Sequence, residues 1–263
     1  MFRILGFLTA SMLSLAVSAT PSLQLDIEGG HYHDPTDDVV SDPAGGEAFT
    51  VYALGDFDQL GSNPHNLTTA DTFYLSIALS YHPDGAANPV QPGVIADLGS
   101  LGSFTVNGQT VTFTDTEIKY GTPPVDTVLS DFDAGDLQHS VFDTYFYELA
   151  FMFDPTFTTA DYNVEDNPGG TIGGFDASGD DLHYMEFDID KSGMHEDYEL
   201  HFDLYAVDEG CNNGECSDIL VKAPYSHDAS SWPTNTVNVP EPASVALFGL
   251  GLAGLLVARR RQA

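Results

Sequence analysis

Asp188, Asp190, Ser192, Gly193 and Glu199 stand at positions 1, 3, 5, 6 and 12 of a twelve-residue acidic segment. That is the spacing at which an EF-hand loop wraps oxygen ligands around calcium and uses a glycine to turn the chain. The flanks argue differently. Met185, Phe187 and Ile189 alternate into the segment and Tyr198 onward alternates out of it, so the neighbours read as strands where an EF-hand needs helices. His195 also takes the usually aliphatic eighth position. Two accounts therefore stand side by side: a calcium site on Asp188, Asp190, Ser192 and Glu199, or an acidic hairpin turn. Calcium is the one cofactor the sequence offers.

Other acidic turns, Asp131-Phe132-Asp133 to Asp136 and Asp176 to Asp181, could hold a divalent ion with help from carbonyls or could be solvated loops. Among nine histidines, His31 and His33 would share one strand face, but no third zinc ligand follows at a fixed spacing. His195-Glu196 lacks the second histidine of a zincin, and His139, His183, His201 and His227 read as surface or turn residues. There is no Gly-x-Ser-x-Gly elbow and no phosphate-cradling glycine loop, and carboxylate pairs are too numerous to single out a glycosidase pair. No catalytic residue is assigned, and the body reads as non-enzymatic.

Charge narrows the partners. Of 263 residues, 40 are Asp or Glu and only 7 are Lys or Arg. Four of those cations, Arg3, Arg259, Arg260 and Arg261, sit at the extreme ends, so residues 20–258 set 40 acids against three lysines. Such a field repels nucleic acid and anionic lipid. Hydrophobic residues make up 42% of the chain, with 17 Phe and 12 Tyr, enough for one folded core and too many for an acidic disordered tail.

The two ends are addresses. Met1 to Ala19 starts basic at Arg3, runs apolar from Ile4 to Val17 and closes on the small residues of Val17-Ser18-Ala19, the layout of a secretory signal peptide cut before Thr20. Signal peptidase and the secretion machinery are the implied partners. An uncleaved anchor is the rival, against which the apolar run is short. At the other end, Val239-Pro240-Glu241-Pro242 precedes an uncharged stretch from Ala243 to Ala258 and then Arg259-Arg260-Arg261. Sixteen helical residues reach about 24 Å, a marginal span, and the arginines would hold the terminus on the cytoplasmic side.

This order of motif, apolar helix and arginine cluster resembles the PEP-CTERM sorting signal of Gram-negative bacteria. The resemblance implies recognition by an exosortase, transient residence in the inner membrane, loss of the tail, and arrival at the cell surface, outer membrane or extracellular matrix. It also implies an association with exopolysaccharide and biofilm. Pro240, Glu241 and Pro242 are on this view a substrate and not a catalytic site.

Between the ends, apolar and polar residues alternate with the period of half-buried strands. Leu23, Leu25 and Ile27 face one way and Gln24, Asp26 and Glu28 the other; Phe73 to Tyr81, Tyr145 to Phe153 and Tyr198 to Ala206 repeat the pattern. A helix over part of Asp136 to Phe153 is the alternative there. Asn107-Gly108 separates two β-prone arms and suits a two-residue hairpin turn, which places Phe104 opposite Val111. The expected fold is all-β: a single antiparallel β-sandwich, jelly-roll-like, over residues 20–230. A linker at 231–238 joins it to the sorting signal at 239–263.

The segments Leu23 to Gly30, Tyr145 to Phe151 and Tyr198 to Tyr205 resemble the choice-of-anchor N family, in which one exported β-rich domain is carried on different C-terminal anchors. No activity comes with that resemblance. Cys211 and Cys216 flank a four-residue turn, and in an exported chain they are expected to form a disulfide. The functional expectation is a surface or matrix protein that is non-catalytic and linked to extracellular polysaccharide. The alternatives are a secreted carbohydrate-active hydrolase and a lectin-like module with Tyr225 and Trp232 as stacking aromatics.

Overall fold

The structure, a computed structural model, describes residues 21–33, 38–41, 46–62, 65–81, 97–121, 123, 144–160, 163–165, 182–195, 198–207, 211–212, 215–216, 219–224 and 229–231. Its strands run β1 (Leu23–Ile27), β2 (His31–His33), β3 (Asp38–Val40), β4 (Ala48–Gly55), β5 (Phe73–Tyr81), β6 (Ser103–Val106), β7 (Gln109–Thr112) and β8 (Lys119–Gly121). They continue with β9 (Thr144–Phe151), β10 (Thr158–Thr159), β11 (Leu182–Asp190), β12 (Tyr198–Val207), β13 (Cys211–Asn212), β14 (Glu215–Cys216), β15 (Ile219–Lys222) and β16 (Ala229–Ser230). Helix is confined to α1 (Phe57–Ser62) and a 3-10 turn at Leu98–Leu101 among the described residues.

The strands form two large sheets that pack as an all-β sandwich. The first is ordered β1-β4-β11-β6-β7, with β10 beside β11; the second is β2-β3-β16-β12-β5-β9-β8, with β15 beside β12. Pairing is antiparallel throughout the described residues except where β16 runs parallel to β3. The chain passes between these two sheets from β1 to β2, β3 to β4, β4 to β5, β5 to β6, β7 to β8, β9 to β10 and β11 to β12. Phe49 meets Phe202 at 6.1 Å and Phe151 meets Phe187 at 5.0 Å, both edge to face across the two layers. Leu25, Val51, Phe187 and Ile189 from one sheet and Leu75, Ile77, Leu200, Phe202 and Leu204 from the other share one buried cluster.

The hairpin of β6 and β7 has the expected register, Phe104 opposite Val111, with both side chains buried. Asn107 at φ 50° and Gly108 at φ 75° supply the two left-handed residues that such a turn needs. A second glycine is fixed by packing. Gly102 has φ 81°, and a Cβ there would lie 2.0 Å from the carbonyl oxygen of Gly193, where the start of β6 crosses the β11–β12 turn.

The structure departs from the expected wet faces. Gln24 and Asp26 on β1 are 1% and 0% exposed, so both faces of this strand are covered. Part of the cover is the backbone near Val164, whose N–H donates to Gln24 Oε1 at 3.0 Å. Tyr145 to Phe151 is strand and not helix, while Asp136 to Asp143 lies outside the described residues. At the end of the domain β16 enters the second sheet between β3 and β12. Ser231 extends that pairing, with its Oγ accepting from the Leu200 N–H at 2.8 Å.

Candidate functional site

The acidic segment after β11 is a strand–turn–strand. Asp188 lies exposed on the outer face of the first sheet, where its Oδ1 accepts from the Thr50 hydroxyl at 3.1 Å. Asp190 Oδ1 accepts from the Ser192 N–H at 2.9 Å, a local turn contact, and hydrogen bonds from Ser192 hold its carboxyl below the usual range. Glu199 alternates with the core residue Leu200 on β12, in the opposite sheet, yet lies near enough to Lys191, the residue after β11, to act on its charge. Beside Glu199 the fold places a cation of its own. Lys191 is 3% exposed with Nζ 3.6 Å from Glu47 Oε2; burial lowers its pKa, and Glu47 and Glu199 oppose that shift.

Gly193 also has a reason unrelated to an ion. A Cβ there would stand 2.8 Å from the backbone oxygen of Ser103, so the glycine is required by the crossing with β6. No three His, Cys, Asp or Glu side chains among the described residues are grouped to hold a metal, and Asp188, Asp190 and Glu199 form no such group. Of the zinc candidates, His31 and His33 lie on β2 and the His31 side chain is exposed. Asp131 to Asp136, Asp176 to Asp181, His139, His227, Tyr225 and Trp232 lie outside the described residues.

What the fold does bring together is a polar row on the outer face of the second sheet. Register sets Ser76 of β5 directly opposite Glu148 of β9 on one side and Asp203 of β12 on the other. Tyr205 and Tyr74 form the next pair along the same face, stacked at 6.0 Å and 17°. The Tyr205 hydroxyl donates to Glu148 Oε1 at 2.5 Å. Burial pushes the Glu148 carboxyl up to about 7, against a partial lowering by that hydrogen bond. Burial, then the charge of Glu148, pushes the Tyr205 hydroxyl well up, so it stays a donor.

His201 completes the cluster. Its Nε2 is 3.5 Å from Asp203 Oδ1 and its Nδ1 is 2.9 Å from Ser230 Oγ, with the ring a quarter exposed. His201 thus lies on the outer face of the sheet, half-buried against these partners. His183 is also half-buried, its ring edge-on to Phe57 at 5.2 Å. At the centre of the row, Ser76 Oγ is buried and makes no hydrogen bond. A carboxyl that is partly protonated near neutrality, a carboxylate paired with an imidazole and a spare hydroxyl can accept and donate protons to a polar ligand. Nothing in the sequence marked Glu148, Ser76 and Asp203 as neighbours, because they meet only through the register of three strands.

The ends of the chain, including Val239, Pro240, Glu241, Pro242, Arg259, Arg260 and Arg261, lie outside the described residues, as does the apolar run at the N-terminus. Family comparison reaches the C-terminal end directly: residues 238–261 match the PEP-CTERM protein-sorting motif. The chain carries a PEP-CTERM sorting motif. It is therefore an exported protein, processed by an exosortase, held transiently in the membrane and then exposed at the cell surface. No curated protein and no solved structure matches the chain.

Proposed function

We propose that the protein is a non-catalytic component of the extracellular polysaccharide layer, displayed by exosortase sorting on a Gram-negative surface. The observation that carries this reading is the PEP-CTERM motif at residues 238–261, joined to an acidic β-sandwich. Segments resembling the choice-of-anchor N family fit the same picture, in which the body is cargo on an interchangeable anchor. A chain with 40 acids and 7 bases acts through solvation, repulsion of anionic polymers and attraction of cations. Cells carrying the protein are to be fractionated into matrix, outer membrane and medium, and the purified matrix incubated with the protein. The reading expects co-fractionation with matrix and no release of sugar; loss from the matrix fraction, or release of reducing ends, contradicts it.

A second reading, a glycan hydrolase, is favoured by one observation. Glu148 and Asp203 stand two strands apart on one face, so their backbones are about 9.6 Å apart, and side chains leaning toward each other would bring the carboxyl groups closer than that. Inverting glycosidases hold their two carboxyl groups about 6.5–9.5 Å apart, with the acid raised toward neutrality as Glu148 is. On this reading Glu148 protonates the leaving oxygen while Asp203 activates water. Glu148→Gln and Asp203→Asn would then each abolish any sugar release that the wild type shows.

A further inference from the structure

The outer face of the first sheet carries a second feature. Phe157, just before β10, is 42% exposed, and its carbonyl accepts from the Tyr184 N–H at 3.0 Å, which sets the two residues side by side. Their rings stack at 5.5 Å and 18°, and Tyr184 meets Tyr52 edge-on at 6.2 Å. A surface phenylalanine pinned in this way offers a flat apolar face whose orientation is already fixed, so a ligand lying on it need not order it. Glu186 and Asp188 follow Tyr184 at two-residue steps on the same strand face, both exposed, and Glu28 is exposed at the end of β1. Burial and then the charges of Glu28 and Glu186 push the Tyr52 hydroxyl up, which places those carboxylates within electrostatic reach of the aromatic row.

We propose that this face, with Phe157 and Tyr184 as platform and Glu186, Asp188 and Glu28 as charged rim, binds a polysaccharide bearing free amino sugars. The apolar C–H face of a pyranose ring lies on the phenylalanine, and protonated amino groups pair with the carboxylates. Charge decides the sugar class. A net formal charge of −33 repels uronate-rich and phosphate-bearing polymers and draws in a polycation. The inference rests on the reading of the protein as polysaccharide-associated and names the surface and the sugar that would serve it.

The test is titration calorimetry of the exported protein with glucosamine oligomers, and with N-acetylglucosamine oligomers of equal length. Wild type should bind the free-amine oligomer, with affinity falling as salt rises, and bind the acetylated one at least about tenfold more weakly. Phe157→Ala, a surface change, should weaken binding about tenfold, and Glu186→Gln should flatten the salt dependence. Phe157→Ala binding like wild type would reduce the attraction to diffuse charge and overturn the inference, as would equal affinity for the two oligomers. Wild type that stays with the matrix yet ignores glucosamine oligomers also overturns it, while leaving the polysaccharide-layer reading in place.

Discussion

Replacing Glu148 by glutamine should stabilise the protein at alkaline pH and leave it nearly unchanged at acid pH. The carboxyl has a pKa of about 7 in the folded chain against an ordinary 4.5, and burial is the larger cause. The folded state therefore keeps a proton that the unfolded chain has released, and stability falls as pH rises between those two values. A shift of this size corresponds to about 3 kcal/mol, fully lost above roughly pH 8 and fully present below roughly pH 4. Glutamine stays neutral while its carbonyl can still accept the Tyr205 hydroxyl, so the variant keeps the contact and loses the slope. Urea unfolding of the exported, tail-processed protein at pH 5, 6, 7 and 8 in constant salt measures this. Taking the difference between variant and wild type cancels the pH response of the other acids. The expected difference grows from somewhat under 1 kcal/mol at pH 5 to about 3 kcal/mol at pH 8 in favour of Glu148→Gln. Parallel stabilities across that range would show that Glu148 is not a buried, proton-holding carboxyl and would refute the account of the row.

Gly108→Ala should cost only about 1 kcal/mol, since the Cβ meets nothing and pays only for a left-handed φ. Gly102→Ala should cost about 3 kcal/mol or more, because it must part the β6 start from Gly193; equal losses in urea unfolding would contradict the crossing. Glu47→Ala should destabilise by about 2 kcal/mol or more by leaving Lys191 buried with less compensating charge, whereas Lys191→Met should be near neutral. Denaturant midpoints that rank the two the other way would reject that reading. The backbone register sets Cys211 directly opposite Cys216, a separation a disulfide can span, so peptide mapping of the exported protein should find the two joined, and two free thiols would reject the bond.

The sandwich was legible where one face of a strand is apolar and the other polar. Phe73 to Tyr81 and Tyr198 to Ala206 alternate in sequence and pair with each other in the second sheet. The Asn107-Gly108 turn even fixed a register, because its geometry leaves no choice of partner for Phe104. By contrast β4, central in the first sheet, escaped attention since Val51 to Gly55 is buried on both faces and shows no alternation. The covered polar side of β1 misled for the related reason that a residue's polarity says nothing about what packs over it. The row of Glu148, Ser76 and Asp203 could not be read at all, since with 40 acids in the chain only long-range register selects the two that matter. Conversely, the calcium spacing was formally complete, yet its glycine serves a backbone crossing and its last carboxylate acts on the buried Lys191.

The central claim is that the C-terminal segment is a processed sorting signal, and intact mass of the protein recovered from its final location tests it most directly. Proline fixes φ and restricts its neighbour, so Pro240-Glu241-Pro242 should present an extended recognition segment ahead of the apolar run. The account predicts a mass lacking Thr20's preceding leader and the Arg259-Arg260-Arg261 cluster in wild type, and a retained, membrane-held tail when Pro240, Glu241 and Pro242 are replaced by alanine. Wild-type protein found at its final location with those three arginines still attached would make the tail a permanent anchor and contradict the account.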